Sequence, residues 1–344
     1  MATPIKTIRT RNHAFRSMRV IGDLCRLTGE SNLVLGLMAD KPRYRQYFMR
    51  KKDGSKRPIE DPDARLKAVL RVINDHLQAV YYYLRPGAVH GFTISSTSDE
   101  TERNILSNAR AHMQSHYMLN LDLKDFFHQI TQKSVVQLLS SHFDQWDDSL
   151  IHLVAGLCCF RGRLPMGSPA SPALSNFAMT DLDHELMTLC KVYDVVYTRY
   201  ADDLTFSSRE PMSSVFRDMV NDAVRHRGFE INPKKVRYYI MEDSKVVTGI
   251  IVTKDELCLP EEYMHQLRKE IDLYRNSVIV DTMYETGMSG KKLSLFEQEI
   301  TGKLSFAKMV MPDDDEVKEL EDLFYNEVDV HSVMQSWLDI PYIF

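Results

Sequence analysis

Three aspartates carry the most chemical information in this chain. Tyr200-Ala201-Asp202-Asp203 follows the apolar, β-branched run Val195-Val196-Tyr197-Thr198, a pattern that suggests a hairpin displaying two adjacent carboxylates. Upstream, the alternating apolar residues of Leu119-Asn120-Leu121-Asp122-Leu123 suggest a strand that brings Asp122 to the same place. Carboxylates from two strands can hold two Mg²⁺ ions, because this hard cation prefers carboxylate oxygens and keeps several of its waters. Two such ions serve nucleotidyl transfer: one activates the attacking hydroxyl and the other neutralises charge on the departing pyrophosphate. Alone, an Asp-Asp pair also occurs on ordinary solvated turns, so its neighbours decide the reading.

The elements that would position these residues follow from periodicity. Residues up to about 40 read as helical, and Pro42 closes that segment. Tyr47–Met49 and Arg57–Ile59 flank Asp53-Gly54, a hairpin signal that implies a two-stranded finger. Leu66, Val69, Leu70, Ile73, Leu77 and Val80 have helical spacing, with Pro86-Gly87 as the stop and a loop at His90-Gly91-Phe92. A helix or its exit is expected at Asn108–His112, and helices at Val135–Phe143, Leu150–Phe160, Ala173–Leu189 and Ser213–Arg227. A structured glycine- and proline-rich loop spans Arg161–Pro172. Short strands at Phe229–Ile231, Val236–Ile240 and Val246–Val252 are expected to complete the sheet, and the remainder is mostly helical. The pattern implies an α+β fold with a central antiparallel sheet and helices on one face.

Composition sets the bounds. A chain of 344 residues with 44% hydrophobic content supports two or three subdomains and a sizeable core. Its five cysteines lack C-x-x-C spacing, which fits a reducing cytoplasm without a zinc site. Neither a signal-peptide core nor a membrane-spanning run is visible, so a soluble protein is expected. The formal net charge of −5 is unusual for a nucleic-acid partner, yet Lys41–Pro58 concentrates eight cations against Asp53 alone, interleaved with tyrosines and Phe48. That stretch reads equally as a solvated surface or a binding surface, whereas Asp313-Asp314-Asp315-Glu316 reads as a solvated face. Gly287–Lys292 lacks phosphate-loop spacing and reads as an exposed turn.

The ordered motifs resemble those of reverse transcriptases and, within them, bacterial retron reverse transcriptases. They run from Lys56-Arg57-Pro58-Ile59 and Leu66-Lys67 through the Asp122 strand, Gly167–Asn176 and Tyr200–Asp203 to Asn232-Pro233-Lys234-Lys235. Asn108-Ala109-Arg110-Ala111-His112 matches the N-A-x-x-H motif of the retron enzymes, and Val247-Thr248-Gly249 matches their V-T-G. The resemblance implies a right-hand polymerase fold: an N-terminal extension and basic fingers over 1–120, an antiparallel-sheet palm over 121–253 and a helical thumb over 254–344. It implies RNA-directed DNA polymerase activity, with Asp122, Asp202, Asp203 and the carbonyl of Leu123 as ligands of two Mg²⁺ ions. Phe127 would be the steric gate that excludes a 2′-hydroxyl. Lys56, Arg57, Met166, Gly167 and Lys235 would bind the nucleotide, and Asn108, His112, Val247, Thr248 and Gly249 would recognise RNA or template. The family usually has glutamine where Met166 stands, and many relatives have one at Leu70, so nucleotide affinity or fidelity is expected to differ.

The implied partners are a cognate structured noncoding RNA and its DNA product, deoxynucleoside triphosphates, a retron effector protein and host RNase H, with no membrane. The resemblance further implies priming from a guanosine 2′-hydroxyl, a branched RNA–DNA product and a role in defence against phage. Other readings are a group II intron or diversity-generating reverse transcriptase, and a silent RNA-binding scaffold on the same fold. A metal-dependent nuclease could use similar carboxylates, but would need neither a gate nor a basic finger.

Overall fold

A computed structural model describes residues 2–50, 54, 56–284 and 290–326, and the chain divides by its contacts into Met1–Asp243 and Ser244–Phe344. Asp53 of the expected finger turn and residues 287–289 of the expected exposed turn lie outside the described residues.

In the first unit, α1 (Ile5–Arg16), α2 (Ile21–Thr28) and α3 (Asn32–Asp40) precede the finger hairpin, β1 (Tyr44–Arg50) and β2 (Lys56–Pro62). Its register runs from Tyr44 opposite Pro62 to Arg50 opposite Lys56, longer than the alternation alone indicates. The long helix α4 (Ala64–Leu84) starts where the Asp63 carboxylate accepts the Leu66 N–H, an N-cap that satisfies one orphan donor. Its expected apolar stripe, Leu66 through Val80, is buried along its whole length. Next come α5 (Ile105–Arg110), β3 (Tyr117–Asp122), α6 (Phe126–Gln129), α7 (Gln132–His142) and α8 (Asp148–Cys158). The 22-residue helix α9 (Ser171–Val192), with a proline in its first turn, leads into β4 (Val196–Tyr200) and β5 (Asp203–Ser208). Helix α10 (Ser214–His226) and β6 (Arg237–Tyr239) complete the unit.

The central sheet has the order β4-β5-β3-β6 and is antiparallel throughout. Register assigns its faces, because side chains alternate along a strand. One face carries Asp122 opposite Asp203 and Asn120 opposite Thr205, with Thr198 and Tyr200 from β4. The other carries Leu119, Leu121, Leu204, Phe206 and Tyr197, all buried, and one charged residue, Arg199. Phe206 stacks on Tyr197 and meets Phe216 of α10 edge-on, which seats the sheet on its helices.

Two expected strands differ. Phe229–Ile231 forms only an isolated bridge, Leu123 to Ile231. Val246–Val252 is no single strand of the central sheet: it breaks at Thr248 (φ 48) and Gly249 (φ 88) into β7 (Lys245–Val247) and β8 (Ile250–Val252). Two positive-φ residues between the paired Val247 and Ile250 make a two-residue hairpin of the type I′ pattern, which twists as antiparallel strands do. With β9 (Leu257–Cys258) these strands form a separate three-stranded sheet in the second unit. There α11 (Glu261–Tyr284), α12 (Gly290–Val310) and α13 (Asp315–Tyr325) pack around Leu267, Ile271, Ile300, Leu304 and Leu320. Tyr263, Leu267, Ile271 and Tyr274, at helical spacing on α11, pack toward the other helices of this unit: Tyr263 donates to the Lys303 carbonyl and Tyr274 meets Phe324. Asp314 of the acidic run caps α13 by accepting the Val317 N–H.

A buried and a half-buried histidine make stability depend on pH. His112 is 1% exposed, with Nδ1 bonded to Ser207 Oγ and Nε2 to Thr198 Oγ1, and burial pushes its pKa down to about 3. Burial, aided by Arg103 and Arg85, pushes His90 down to about 4. Both stay neutral in the fold but charge in the unfolded chain near pH 6.5, so their contribution is complete above that pH and is lost as pH falls toward 4. The expected outcome is that His112→Asn lowers the slope of unfolding free energy against pH between 6 and 4 by about 1.4 kcal/mol per pH unit. Urea titrations across that range check it, and an unchanged slope would show that His112 titrates normally in the fold.

Candidate active site

The two strands that sequence periodicity pairs do converge. Asp122 ends β3 directly opposite Asp203, the first residue of β5, and Asp202 lies in the turn between β4 and β5. The loop is Ala201-Asp202, closed by the pair Tyr200 and Asp203. Ala201 has φ 58, a position that such hairpins usually fill with glycine, so the turn holds strain that its surroundings must maintain.

A buried polar network supplies those surroundings. Arg199 and Asp183 of α9 are both 0% exposed and joined by two bonds, Nε to Oδ1 at 2.8 Å and Nη2 to Oδ2 at 2.7 Å. Burial works against the guanidinium charge, and Asp183 more than offsets it, raising the arginine pKa. The remaining Nη1 donates to the Ala201 carbonyl at 3.1 Å and to Asn176 Oδ1 at 3.0 Å. Asn176 Nδ2 in turn holds the carbonyls of Gly91 and Phe92. Backbone bonds continue the clamp, Arg199 N–H to the Ala88 carbonyl and His90 N–H to the Arg199 carbonyl. Arg103 fixes the same loop by donating to the carbonyls of Pro86 and Val89 at 3.1 and 2.9 Å.

The carboxylates themselves are electrostatically costly. Asp122 is 7% exposed; burial, then Asp202 and Asp122, raises Asp203 to about 7, and burial followed by Asp122 raises Asp202. Lys235 Nζ sits 2.5 Å from Asp122 Oδ1 and Arg57 also lowers the Asp202 pKa, so both cations act on the cluster. Lys235 is placed by the Asn232-Pro233-Lys234-Lys235 turn: Asn232 Oδ1 accepts the Lys234 N–H, and the Asn232 N–H donates to the Asp122 carbonyl. The Leu123 N–H donates to the Asp202 carbonyl, tying the two strand ends together. Among the described residues no three Asp, Glu, His or Cys side chains are drawn together as a ready ligand cluster. Mutually repelling, half-desolvated carboxylates are nevertheless the donor set that a hard divalent cation relieves, and the residues fit such an ion.

Phe127, half-buried on α6, touches Phe126 and Phe92 with ring centroids 5.4 and 5.9 Å away. Lys56 and Arg57 are exposed at the start of β2, Lys56 lying over the Phe48 ring. The Met166 carbonyl accepts the Glu60 N–H, and Gly167 (φ 129) passes so close to β2 that a Cβ would stand 2.7 Å from the Glu60 carbonyl. Glu60 is locked by a bidentate Arg163. Asn108 and His112 are each 1% exposed, so neither offers a face to RNA in this conformation; His112 braces β4 and β5, and both polar atoms of the Asn108 side chain are buried without a partner. Val247, Thr248 and Gly249 form the hairpin of the second unit.

Gly91, Asn176, Asp183 and Arg199 carry structural weight that the motif reading did not assign. Gly91 has Ala201 N at 2.5 Å and Tyr200 Cα at 3.0 Å from where a Cβ would stand, with no positive φ to account for it. Gly91→Ala is therefore expected to destabilise the fold by about 1–3 kcal/mol through overpacking. Gly36→Ala, in α3 with nothing within 4 Å of its Cβ position, is expected to stabilise it by about 0.5–1 kcal/mol. Urea midpoints check both; a neutral Gly91→Ala would mean that the hairpin backbone yields.

Comparison with known proteins agrees with this geometry. The model of the family "Reverse transcriptase (RNA-dependent DNA polymerase)" matches residues 49–265. The chain is 31% identical to the Retron Ec86 reverse transcriptase of Escherichia coli, over 78% of this chain and 82% of that protein. It is 30% identical to the Retron Mx162 reverse transcriptase of Myxococcus xanthus, over 78% of this chain and 58% of that one. Identity to the Retron Ec83 reverse transcriptase of Escherichia coli is also 30%, over 64% and 72%. With Asp122 and the Asp202-Asp203 pair brought to one end of an antiparallel sheet inside the matched segment, the chain belongs to the reverse transcriptases, among the bacterial retron enzymes, and is an RNA-directed DNA polymerase of α+β fold.

Proposed function

We propose that this polymerase copies a cognate structured noncoding RNA, starting from an RNA 2′-hydroxyl and yielding a branched RNA–DNA, in the cytoplasm and in defence against phage. The observation that carries the reading is the register pair of Asp122 with Asp203, beside Asp202 and under the charge of Lys235, in a chain whose relatives are retron enzymes. The family works with divalent metal ions; Asp122, Asp202, Asp203 and the Leu123 carbonyl would hold two Mg²⁺, which when bound activate the attacking hydroxyl and offset charge on the leaving pyrophosphate.

The chain's own groups have distinct tasks in this reading. Phe127 lies beneath the incoming sugar and excludes a 2′-hydroxyl. Lys56 and Arg57 bind the triphosphate from the finger hairpin, the arginine offering paired donors to phosphate oxygens. Lys235 stands at the carboxylates as the proton donor to the departing pyrophosphate. Gly167 lets the backbone approach the nucleotide, where Met166 supplies no side-chain donor. The fingers, palm and thumb correspond to 1–120, 121–253 and 254–344. His112 serves RNA use indirectly, through the strands β4 and β5 that it braces, with Asn108 on the same helical segment, while Thr248 and Gly249 present a turn to RNA. Effector protein and host RNase H complete the system, the latter removing template.

The test is nucleic acid recovered with the protein expressed from its own locus, treated with RNase and then with a debranching enzyme. The expected product is a short single-stranded DNA whose migration changes on debranching, absent from Asp202→Asn/Asp203→Asn although RNA still copurifies. Linear DNA would remove the branch-priming claim. Undiminished DNA from the double variant would remove the site assignment.

A further inference from the structure

One aromatic residue outside the matched motifs is held in a costly conformation next to the proposed gate. Phe92 has φ 55, in the left-handed region that bulky side chains avoid. Its carbonyl is gripped by two side chains, Gln78 Nε2 at 3.0 Å and Asn176 Nδ2 at 2.9 Å, from α4 and α9. Both side chains are buried, Gln78 at 8% exposure and Asn176 at 0%, so the backbone is fixed from the interior and the ring is directed by it. That ring, half-buried, lies 5.9 Å from the Phe127 ring at an interplanar angle of 30°. The preceding residue, Gly91, abuts the Tyr200–Ala201 backbone. Two consecutive residues, Gly91 and Phe92, thus touch the carboxylate hairpin and the candidate gate in turn.

Asparagine or glycine would adopt this φ without strain. A phenylalanine kept there against its preference points to the ring as what the position is for, since strained residues persist where surroundings over-determine them for function. A phenyl ring pressed on Phe127 limits how far the gate can tilt away from a bulkier sugar.

We propose that Phe92 is a positioning residue for sugar selection: its ring holds Phe127 in the orientation that excludes the ribose 2′-hydroxyl. This rests on the reading of Phe127 as the gate and extends it to a second side chain, on the loop that also backs the catalytic hairpin.

The experiment is single-nucleotide extension of an RNA-templated primer by the full chain, giving kcat and KM for a deoxynucleotide and its ribonucleotide. The variants are Phe127→Ala, Phe92→Gly, Phe92→Tyr and the Phe92→Gly/Phe127→Ala double. Glycine adopts φ 55 freely, so Phe92→Gly removes the ring without adding backbone strain, and Phe92→Tyr keeps the ring. Phe127→Ala is expected to lower the deoxy-to-ribo preference by roughly 10- to 100-fold. Phe92→Gly is expected to lower it by about 2- to 10-fold, the scale of one aromatic contact, through a lower KM for the ribonucleotide. Phe92→Tyr should restore the preference, and the double variant should match Phe127→Ala alone, because one residue acts through the other. If Phe127→Ala relaxes selection while Phe92→Gly leaves the ratio unchanged, or lowers kcat for both nucleotides equally, the role of Phe92 is overturned and the gate stands. If Phe127→Ala leaves selection unchanged, the gate itself is overturned, and the proposal falls with it.

Discussion

The charge pair of Arg199 and Asp183 is the constraint on which the active-site architecture turns. Both are out of solvent, and each would be severely destabilising alone, since an uncompensated buried charge costs about 3–5 kcal/mol. A buried ion pair is by itself weak evidence of stability, because desolvation offsets most of its attraction. What the guanidinium adds is direction. Its planar fork spends two bonds on Asp183 and leaves Nη1 for the Ala201 carbonyl and the Asn176 amide oxygen. Tyr197 donates its hydroxyl to the same aspartate. The strained Ala201-Asp202 turn is therefore tied to helix α9, and through Asn176 to the loop at Gly91 and Phe92.

That rigidity lets like charges be held close. Burial makes charge costly on the three aspartates gathered at one sheet end, and their mutual repulsion adds to it, together pushing Asp203 up to about 7. A softer hairpin would relax away from Asp122. Here the strand register, the Leu123 N–H bond to the Asp202 carbonyl and the Arg199 contact to Ala201 leave it nowhere to go. The repulsion is instead met by a cation of the chain itself, Lys235, and the carboxylates would suit a divalent ion of the kind the family uses.

The parts legible in the sequence were those set by short-range rules. The helical stripe of α4, the alternation in β3 and the Asp-Asp turn each follow from periodicity over a few residues, and the structure places them accordingly. The split of Val246–Val252 was not legible from apolar content alone, because a β-branched threonine at positive φ is what its side chain argues against. Nor was the inward role of Tyr263 and Tyr274, since a helical stripe does not say what it faces. The support network left faint signals: Asn176 and Asp183 stand two helical turns apart among apolar positions of α9, and Arg199 interrupts the apolar face of β4. Gly91 left none, because a glycine in a loop is ordinary until the hairpin backbone is seen against it. His112 shows the converse, a motif residue whose partners, Ser207 and Thr198, lie 95 and 86 positions away.

Separating what the ion pair does for stability from what it does for position tests this account most directly. The measurement is primer extension per folded molecule by Asp183→Leu/Arg199→Met, with a urea midpoint on the same sample. Removing both charges together is expected to destabilise the chain less than removing either one alone, which strands a buried charge. DNA synthesis is expected to fall by roughly 10- to 100-fold, because Ala201 loses the donor that sets the carboxylates. A folded double variant that extends primers at the parental rate would contradict the account, and would reduce the pair to a dispensable feature of the core.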